Sequence, residues 1–271
     1  MDKLYIIKIG GNIIGDETKL GAFLKDFASV DAMKILVHGG GKLATKLAEK
    51  LGVEQKLVDG RRITDEETLK IVTMVYAGYI NKNIVAQLQA SDCNAIGLSG
   101  ADGDAILAHK RKSFQPIEGS NEIDYGFAGD IDKINAGLLN GLLKQNFSIV
   151  ISPITHDGKG QLLNTNADTI AQEIAKAMSN SYDVNLIYSF EKTGVLKDIN
   201  DENSVIRKLN WSYYQELKSP LQGSKIFAGM IPKLDNAFAA IKHGVKKVII
   251  GKAEQLKELI NGEAGTNILN E

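Results

Sequence analysis

The chain has 271 residues, 44% hydrophobic and 24% charged, with 32 basic side chains against 33 acidic ones and a formal net charge of −1. That length buries a sizeable core in one large or two compact lobes, and the charge balance excludes a generally basic nucleic-acid surface. One cysteine, Cys93, excludes an intrachain disulfide and favours a reducing cytosol, and no stretch reaches the about 18 apolar residues of a membrane span.

The opening Met1-Asp2-Lys3-Leu4 has neither the basic start nor the apolar run of a signal peptide, so a cytoplasmic globular protein is expected. The first predicted strand, residues 4–9, runs into Gly10-Gly11-Asn12. A helix follows over 18–28, then a strand over 34–37 that ends in His38-Gly39-Gly40-Gly41-Lys42 and a helix over 43–51. After the Asp59-Gly60 turn, Thr64-Asp65-Glu66-Glu67 reads as a capping box opening a helix over 65–88. The strand 95–98 leads to a third glycine loop, Ser99-Gly100-Ala101-Asp102-Gly103, and 104–130 reads as hairpins. Next come a helix over 131–143, a strand over 148–151, a helix over 165–178 and a strand over 185–188. Asp198 to Asn203 is a polar turn; a helix over 232–243, a strand over 247–250 and a helix over 253–260 complete the chain. Short strands that are apolar on both faces and alternate with helices predict a parallel sheet covered on both sides. A boundary between lobes is expected near residue 178.

Glycines at the carboxyl ends of three strands predict an anion or phosphate site, because they admit close backbone approach and leave amides to hold a charge. Neither G-x-x-x-x-G-K-[ST] nor G-x-G-x-x-G after a strand occurs, so a P-loop or Rossmann enzyme is not supported. Lys8 sits inside a strand expected to be buried, where an ammonium is costly unless an anion neutralises it. An edge position with the charge reaching water is the alternative. Lys233 follows Pro232 in a first helical turn, against the helix dipole, which makes sense if an external anion sits there. Asp168 in Asn164-Thr165-Asn166-Ala167-Asp168 reads equally as a cap partner of Thr165 or as a functional acid sharing a face with Asn164. Arg62 suits a carboxylate clamp, although alone it reads as a surface arginine. His38, His109, His156 and His243 have no metal-ligand spacing, Cys93 reads as a small hydrophobe, and Ser99 and Ser152 lack a nucleophile elbow.

Ile6-Ile7-Lys8-Ile9-Gly10-Gly11 resembles the opening of the amino acid kinase family. Val37 to Gly41, Asp59 to Thr64, Gly97 to Gly103, Gly126 to Asp130, Leu163 to Asp168 and Gly229-Met230-Ile231-Pro232-Lys233 resemble its N-acetylglutamate kinase branch, in order over nearly the whole chain. The resemblance implies an α/β fold, an open αβα sandwich around a mainly parallel sheet of the carbamate kinase-like type. Residues 1–178 would bind an N-acyl-glutamate and dimerise, and 179–271 would bind ATP. It implies phosphorylation of the side-chain carboxylate in arginine synthesis, with Lys8 and Lys233 neutralising the phosphoryl group and Asp168 holding both. Gly10, Gly11, Gly40 and Gly41 would supply backbone donors, Arg62 would clamp the α-carboxylate with help from Asn164 and Asn166, and Glu191, Gly194, Leu196, Lys225 and Gly229 would meet the nucleotide. Mg²⁺ would travel with ATP rather than occupy a protein cage. The chain departs from the branch where Thr/Ser-Asp-Val-x-Gly-Val is usual: it reads Ser189-Phe190-Glu191-Lys192-Thr193-Gly194-Val195, with Glu191 in place of the aspartate. Starting directly at its first strand, it is expected to be an arginine-insensitive homodimer. N-succinyl-glutamate, aspartate, glutamate, carbamate or UMP as acceptor, and a non-catalytic amino-acid sensor, are the alternative readings.

Overall fold

A computed structural model describes residues 1–58, 61–113, 122–198, 200–218 and 230–269. The first half runs β1 (Lys3–Ile9), α1 (Gly11–Ile14), α2 (Glu17–Ala28), β2 (Met33–His38), α3 (Gly41–Lys50), β3 (Leu57–Val58), β4 (Arg61–Arg62), α4 (Glu66–Thr73) and α5 (Asn81–Gln89). A π-helical segment, Met74–Ile80, joins α4 to α5 without a break, as the single long helix predicted there requires. Then follow β5 (Ala95–Leu98), β6 (Ile106–Lys110), β7 (Ala128–Ile134), α6 (Ala136–Lys144), β8 (Ser148–Ile151), β9 (Ile154–His156), β10 (Leu162–Thr165) and α7 (Ala167–Met178). The chain ends with β11 (Asp183–Phe190), β12 (Lys208–Leu209), α8 (Trp211–Lys218), α9 (Ile231–Lys242), β13 (Lys247–Lys252), α10 (Leu256–Asn261) and β14 (Thr266–Ile268).

Among the described residues, eight strands form one sheet in the order β12-β14-β13-β11-β1-β2-β8-β5. Every pairing in it is parallel except β13 with β14. Side chains alternate across β1: Leu4 and Ile6 enter a core completed by α6, α7 and α9, whereas Tyr5, Ile7 and Ile9 enter a second core completed by α2, α4, α5 and α10. The sheet is thus buried on both faces, which is why its strands read as continuous apolar runs. It is also continuous across residue 178, because β1 lies between β2 and β11. The strands β6, β7, β9 and β10 close into a small barrel beside it.

Local chemistry corrects three expectations. Residues 131–134 finish strand β7, and the helix begins only after Asn135, whose side chain accepts from the Leu138 amide at 3.1 Å. Ile131 and Ile134 fit a helical spacing, but the pairing of β7 with β6 overrides it. Asn166, not Thr165, caps α7, accepting from the amides of Asp168 at 2.8 Å and Thr169 at 3.1 Å. Thr165 instead ends β10, with its hydroxyl 2.7 Å from that of Thr155. Likewise Asp65 caps α4 through the Thr68 amide at 2.8 Å, while Thr64 bridges to Gly126. The hairpin expected within 104–130 is the antiparallel β6–β7 pair. In the polar turn, the carboxylates of Asp198 and Asp201 accept the amides of Asn200 and Asn203 at 2.9 Å each.

Candidate active site

The carboxyl end of the sheet gathers three charged side chains that the sequence keeps far apart. Lys8 lies inside β1, flanked by β2 and β11, so it is no edge residue. Its Nζ is 2.7 Å from Oδ1 of Asp168, and Nζ of Lys233 is 2.5 Å from Oδ2 of the same carboxylate. Asp168 stands in the first turn of α7 and Lys233 in the first turn of α9. Tyr188, level with Lys8 on the neighbouring strand, donates its hydroxyl to the Asp168 carbonyl at 3.2 Å.

Burial and charge compete at this triad. Burial pushes the Asp168 carboxyl up, but the ammonium groups of Lys8 and Lys233 outweigh it and hold the group well below the usual carboxylate range. Burial dominates at Lys8 and pushes its ammonium below the ordinary 10.5, against the attraction of Asp168 and with the repulsion of Lys233. Two cations share one anion, so the cluster is one positive charge in excess and is suited to a further anion. Asn12 Oδ1 and Ser189 Oγ, beside the ends of β1 and β11, are buried without a hydrogen-bond partner among the described residues. The two residues are linked through the backbone, since the Gly10 amide, two residues before Asn12, donates to the Ser189 carbonyl. A buried polar atom without a partner is one that a polar ligand can satisfy.

The glycine loops divide in role. The Gly10 amide already donates to the Ser189 carbonyl at 3.0 Å, which corrects the expectation that it offers a donor to ligand. Gly11 opens α1 onto free space, for a Cβ there would meet nothing within 4 Å. At Gly40 a Cβ would stand 2.4 Å from Ile80 Cδ1 and 2.7 Å from the Tyr76 ring, so only glycine lets β2 turn into α3 here. The third loop turns inward: Gly100 donates to Ile154 at 2.6 Å, and a Cβ on it would lie 2.9 Å from the Ile106 carbonyl. That loop is barrel packing and does not line the cleft.

A cleft of about 220 Å³ opens next to the triad, lined by Gly39, Gly40, Gly41, Arg62, Asn164, Asn166 and Ala167, among others. The Arg62 guanidinium is fixed by Gln55 Oε1, the Gly41 carbonyl at 3.0 Å and Thr45 Oγ1 at 2.9 Å. The Asn164 amide donates to Thr64 Oγ1 at 3.0 Å. Asn164 and Asp168 therefore belong to different elements, the first lining the cleft and the second pinning the lysines. Arg111 and Tyr76 also line the cleft, and sequence reasoning missed both. Arg111 sits where turn signals obscured the strand pattern, and Tyr76 falls within an unremarkable helical repeat.

The nucleotide candidates are only partly positioned. Glu191 follows β11, exposed, and its charge favours the Lys8 ammonium. A Cβ on Gly194 would lie 2.8 Å from Thr266 Oγ1, so its glycine is required by packing, and Leu196 bridges to Val205. Lys225 and Gly229 lie outside the described residues, as do Asp59 and Gly60. His38 is buried, bonded through its ring nitrogens to the Gly39 carbonyl at 2.8 Å and to Asn81 at 3.2 Å, and burial pulls its pKa down to about 4. Cys93 is buried, with its thiol 3.3 Å from Ser148 Oγ.

A family model described as the amino acid kinase family matches residues 3–252. The chain belongs to the amino acid kinase family. It is 58% identical over 261 residues to an acetylglutamate kinase of Cytophaga hutchinsonii, covering 96% of each chain. It is 53% identical over 257 residues to an acetylglutamate kinase of Phocaeicola vulgatus, covering 95% of this chain and 96% of that one. In three dimensions it superposes on Giardia carbamate kinase with a TM-score of 0.69 at 12% identity, over 100% of this chain and 99% of that one, a likeness of fold. Among the described residues no helix is long and apolar enough to cross a membrane.

Proposed function

We propose that this chain transfers the γ-phosphoryl group of ATP to the side-chain carboxylate of an N-acyl-L-glutamate, a step of arginine biosynthesis in the cytoplasm. N-acetyl-L-glutamate is the acceptor its relatives are named for. The observation that carries this is one carboxylate, Asp168, bridging two lysines at the head of the sheet beside an arginine- and asparagine-lined cleft. A γ-carboxylate is already ionised at neutral pH, so no general base is needed. One of its oxygens bonds to phosphorus as the bond from phosphorus to the ADP oxygen breaks, giving an acyl phosphate and ADP. What the protein must supply is alignment and positive charge, since two anions meet in line.

Lys8 and Lys233 neutralise the phosphoryl oxygens, and Asp168 keeps both ammonium groups in place. Arg62 holds the α-carboxylate, with Asn164 and Asn166 beside it and Gly11, Gly40 and Gly41 allowing close approach. Both Asp168 oxygens face lysines, so the residues present suit Mg²⁺ that arrives on the nucleotide phosphates, where it would screen their charge. Residues 1–178 serve the acceptor. Residues 179–271 serve ATP, with Glu191, Gly194, Leu196, Lys225 and Gly229 toward the nucleotide. The chain works as a homodimer, and Met74 and Tyr79, large exposed apolar side chains on the long helix, offer the surface for it.

Hydroxylamine trapping of the acyl phosphate across N-acetyl-glutamate, N-succinyl-glutamate, glutamate and aspartate tests the reading. ATP-dependent product from an N-acyl-glutamate is expected, and product only from a free amino acid refutes it. Two further results are expected. Arg62→Ala should raise the acceptor KM about 10- to 100-fold, the loss of charged hydrogen bonds worth about 1.5–3 kcal/mol, with a smaller change in kcat; an unchanged KM rules out the clamp. Second, kcat/KM should fall on the alkaline side below the ordinary lysine value of 10.5, because Lys8 must be charged and burial lowers its pKa. Rate profiles from about pH 6 to about pH 10 for wild type and Lys8→Arg would reveal that limb, which the arginine variant should lose.

A further inference from the structure

The His38 ring is fully buried at the end of β2, in a network whose donors and acceptors follow one from another. Lys82 has only protons to give, and its Nζ is 3.2 Å from Asn81 Oδ1 and 2.8 Å from the Gly97 carbonyl. That fixes the Asn81 amide, whose Nδ2 must donate at the other end. It does so to the Val150 carbonyl at 3.1 Å and to His38 Nε2 at 3.2 Å. Burial, helped by the Lys82 charge, keeps the ring neutral at pH 7, so one ring nitrogen accepts and the other donates. Nε2 accepts; hence Nδ1 carries the proton and donates to the Gly39 carbonyl at 2.8 Å. Asn81 is as buried as His38, and it opens α5 directly after Ile80, whose side chain closes on Gly40.

The bond to Gly39 sets the direction of a peptide plane. The link between Gly39 and Gly40 is trans, so its carbonyl and its amide point opposite ways. Alternation along β2 turns His38 toward the core that holds Leu36, and Lys8, level with Val37, faces the other. With the Gly39 carbonyl drawn to the His38 side, the Gly40 amide is aimed to the Lys8 side. Among the described residues no backbone carbonyl accepts that amide, and Gly40 lines the cleft with Asn166 and Ala167.

We infer that His38 is a positioning residue for phosphoryl transfer: by holding the Gly39 carbonyl it aims the Gly40 amide at an anionic oxygen of the reacting groups. This rests on the kinase reading above and adds to it a side chain that touches neither substrate.

The test separates the two ring nitrogens. Asparagine places an amide nitrogen near the position of Nδ1, whereas glutamine places its amide group near that of Nε2. His38→Asn therefore keeps the donor to Gly39 and orphans Asn81. His38→Gln keeps a partner for Asn81 and loses the donor. His38→Gln should lower kcat about 10- to 100-fold, up to the lower end of what a lost oxyanion donor costs, with KM little changed. His38→Asn should keep the greater part of kcat yet melt at a lower temperature than His38→Gln. A purely structural histidine predicts the reverse, activity that follows stability, and that ranking overturns the inference, as does near-normal kcat in His38→Gln. If neither variant folds, the ¹⁵N resonances of the wild-type ring decide. A neutral ring protonated on Nδ1 is expected, and a proton on Nε2 overturns the inference. Wild-type turnover with kcat and melting temperature falling together in the variants sinks this inference alone, whereas no acyl phosphate from any acceptor sinks the kinase reading and this inference with it.

Discussion

Lys8→Ala is expected to lower kcat by about 10²- to 10³-fold while the protein stays folded, the loss typical of a group that meets charge developing in the transition state. Lys8 is central in the sheet, 2.7 Å from Asp168, and its charge is held there against the cost of burial. Removing it does not orphan Asp168, because Lys233 remains 2.5 Å away as counter-ion. It also relieves the desolvation that depresses the lysine, so the thermal midpoint should move little. Lys8→Met, which fills more of the same space, should behave alike. Trapped acyl phosphate under saturating substrates reads the effect, and near-normal kcat in either variant would remove Lys8 from the mechanism.

Asp168→Asn should be worse for the fold and comparably damaging to activity. It leaves two partly buried ammonium groups facing each other without an anion. Breaking a buried pair by deleting one partner costs about 3–5 kcal/mol, which corresponds to a fall in thermal midpoint on the order of 10 °C. The double variant Asp168→Asn/Lys8→Met should regain much of the midpoint and none of the activity, since it removes the repulsion without restoring the charge. If the single variant melts like wild type, Asp168 is not the keystone of the cluster. The pH dependence has a definite sign. The pKa of Asp168 is depressed in the folded chain, so its contribution is complete above the ordinary value of 3.8 and is lost only as pH falls well below that, through the folded value. Acid unfolding of wild type should therefore have a component at low pH that Asp168→Asn lacks.

The sequence by itself determined the alternation of apolar strands and helices, because a strand buried on both faces needs an uninterrupted apolar run. It also exposed Lys8, since a charge inside such a run contradicts burial unless something neutralises it. The ordered motifs from Lys8 to Lys233 carried the family. Elsewhere local signals misled. Residues 131–134 fit a helix until β6 supplies a partner, and Thr165 fits a cap until Thr155 binds its hydroxyl. Only the tertiary structure decided which residues meet. Asp168 was undecided from spacing because its partners lie 160 residues before and 65 after it, and ion pairs over such distances leave no local trace. Arg111 was invisible for the same reason. Its place in the cleft depends on β6, β7 and β10 closing beside the sheet, and a strand is drawn into such an arrangement by partners that its own sequence does not name.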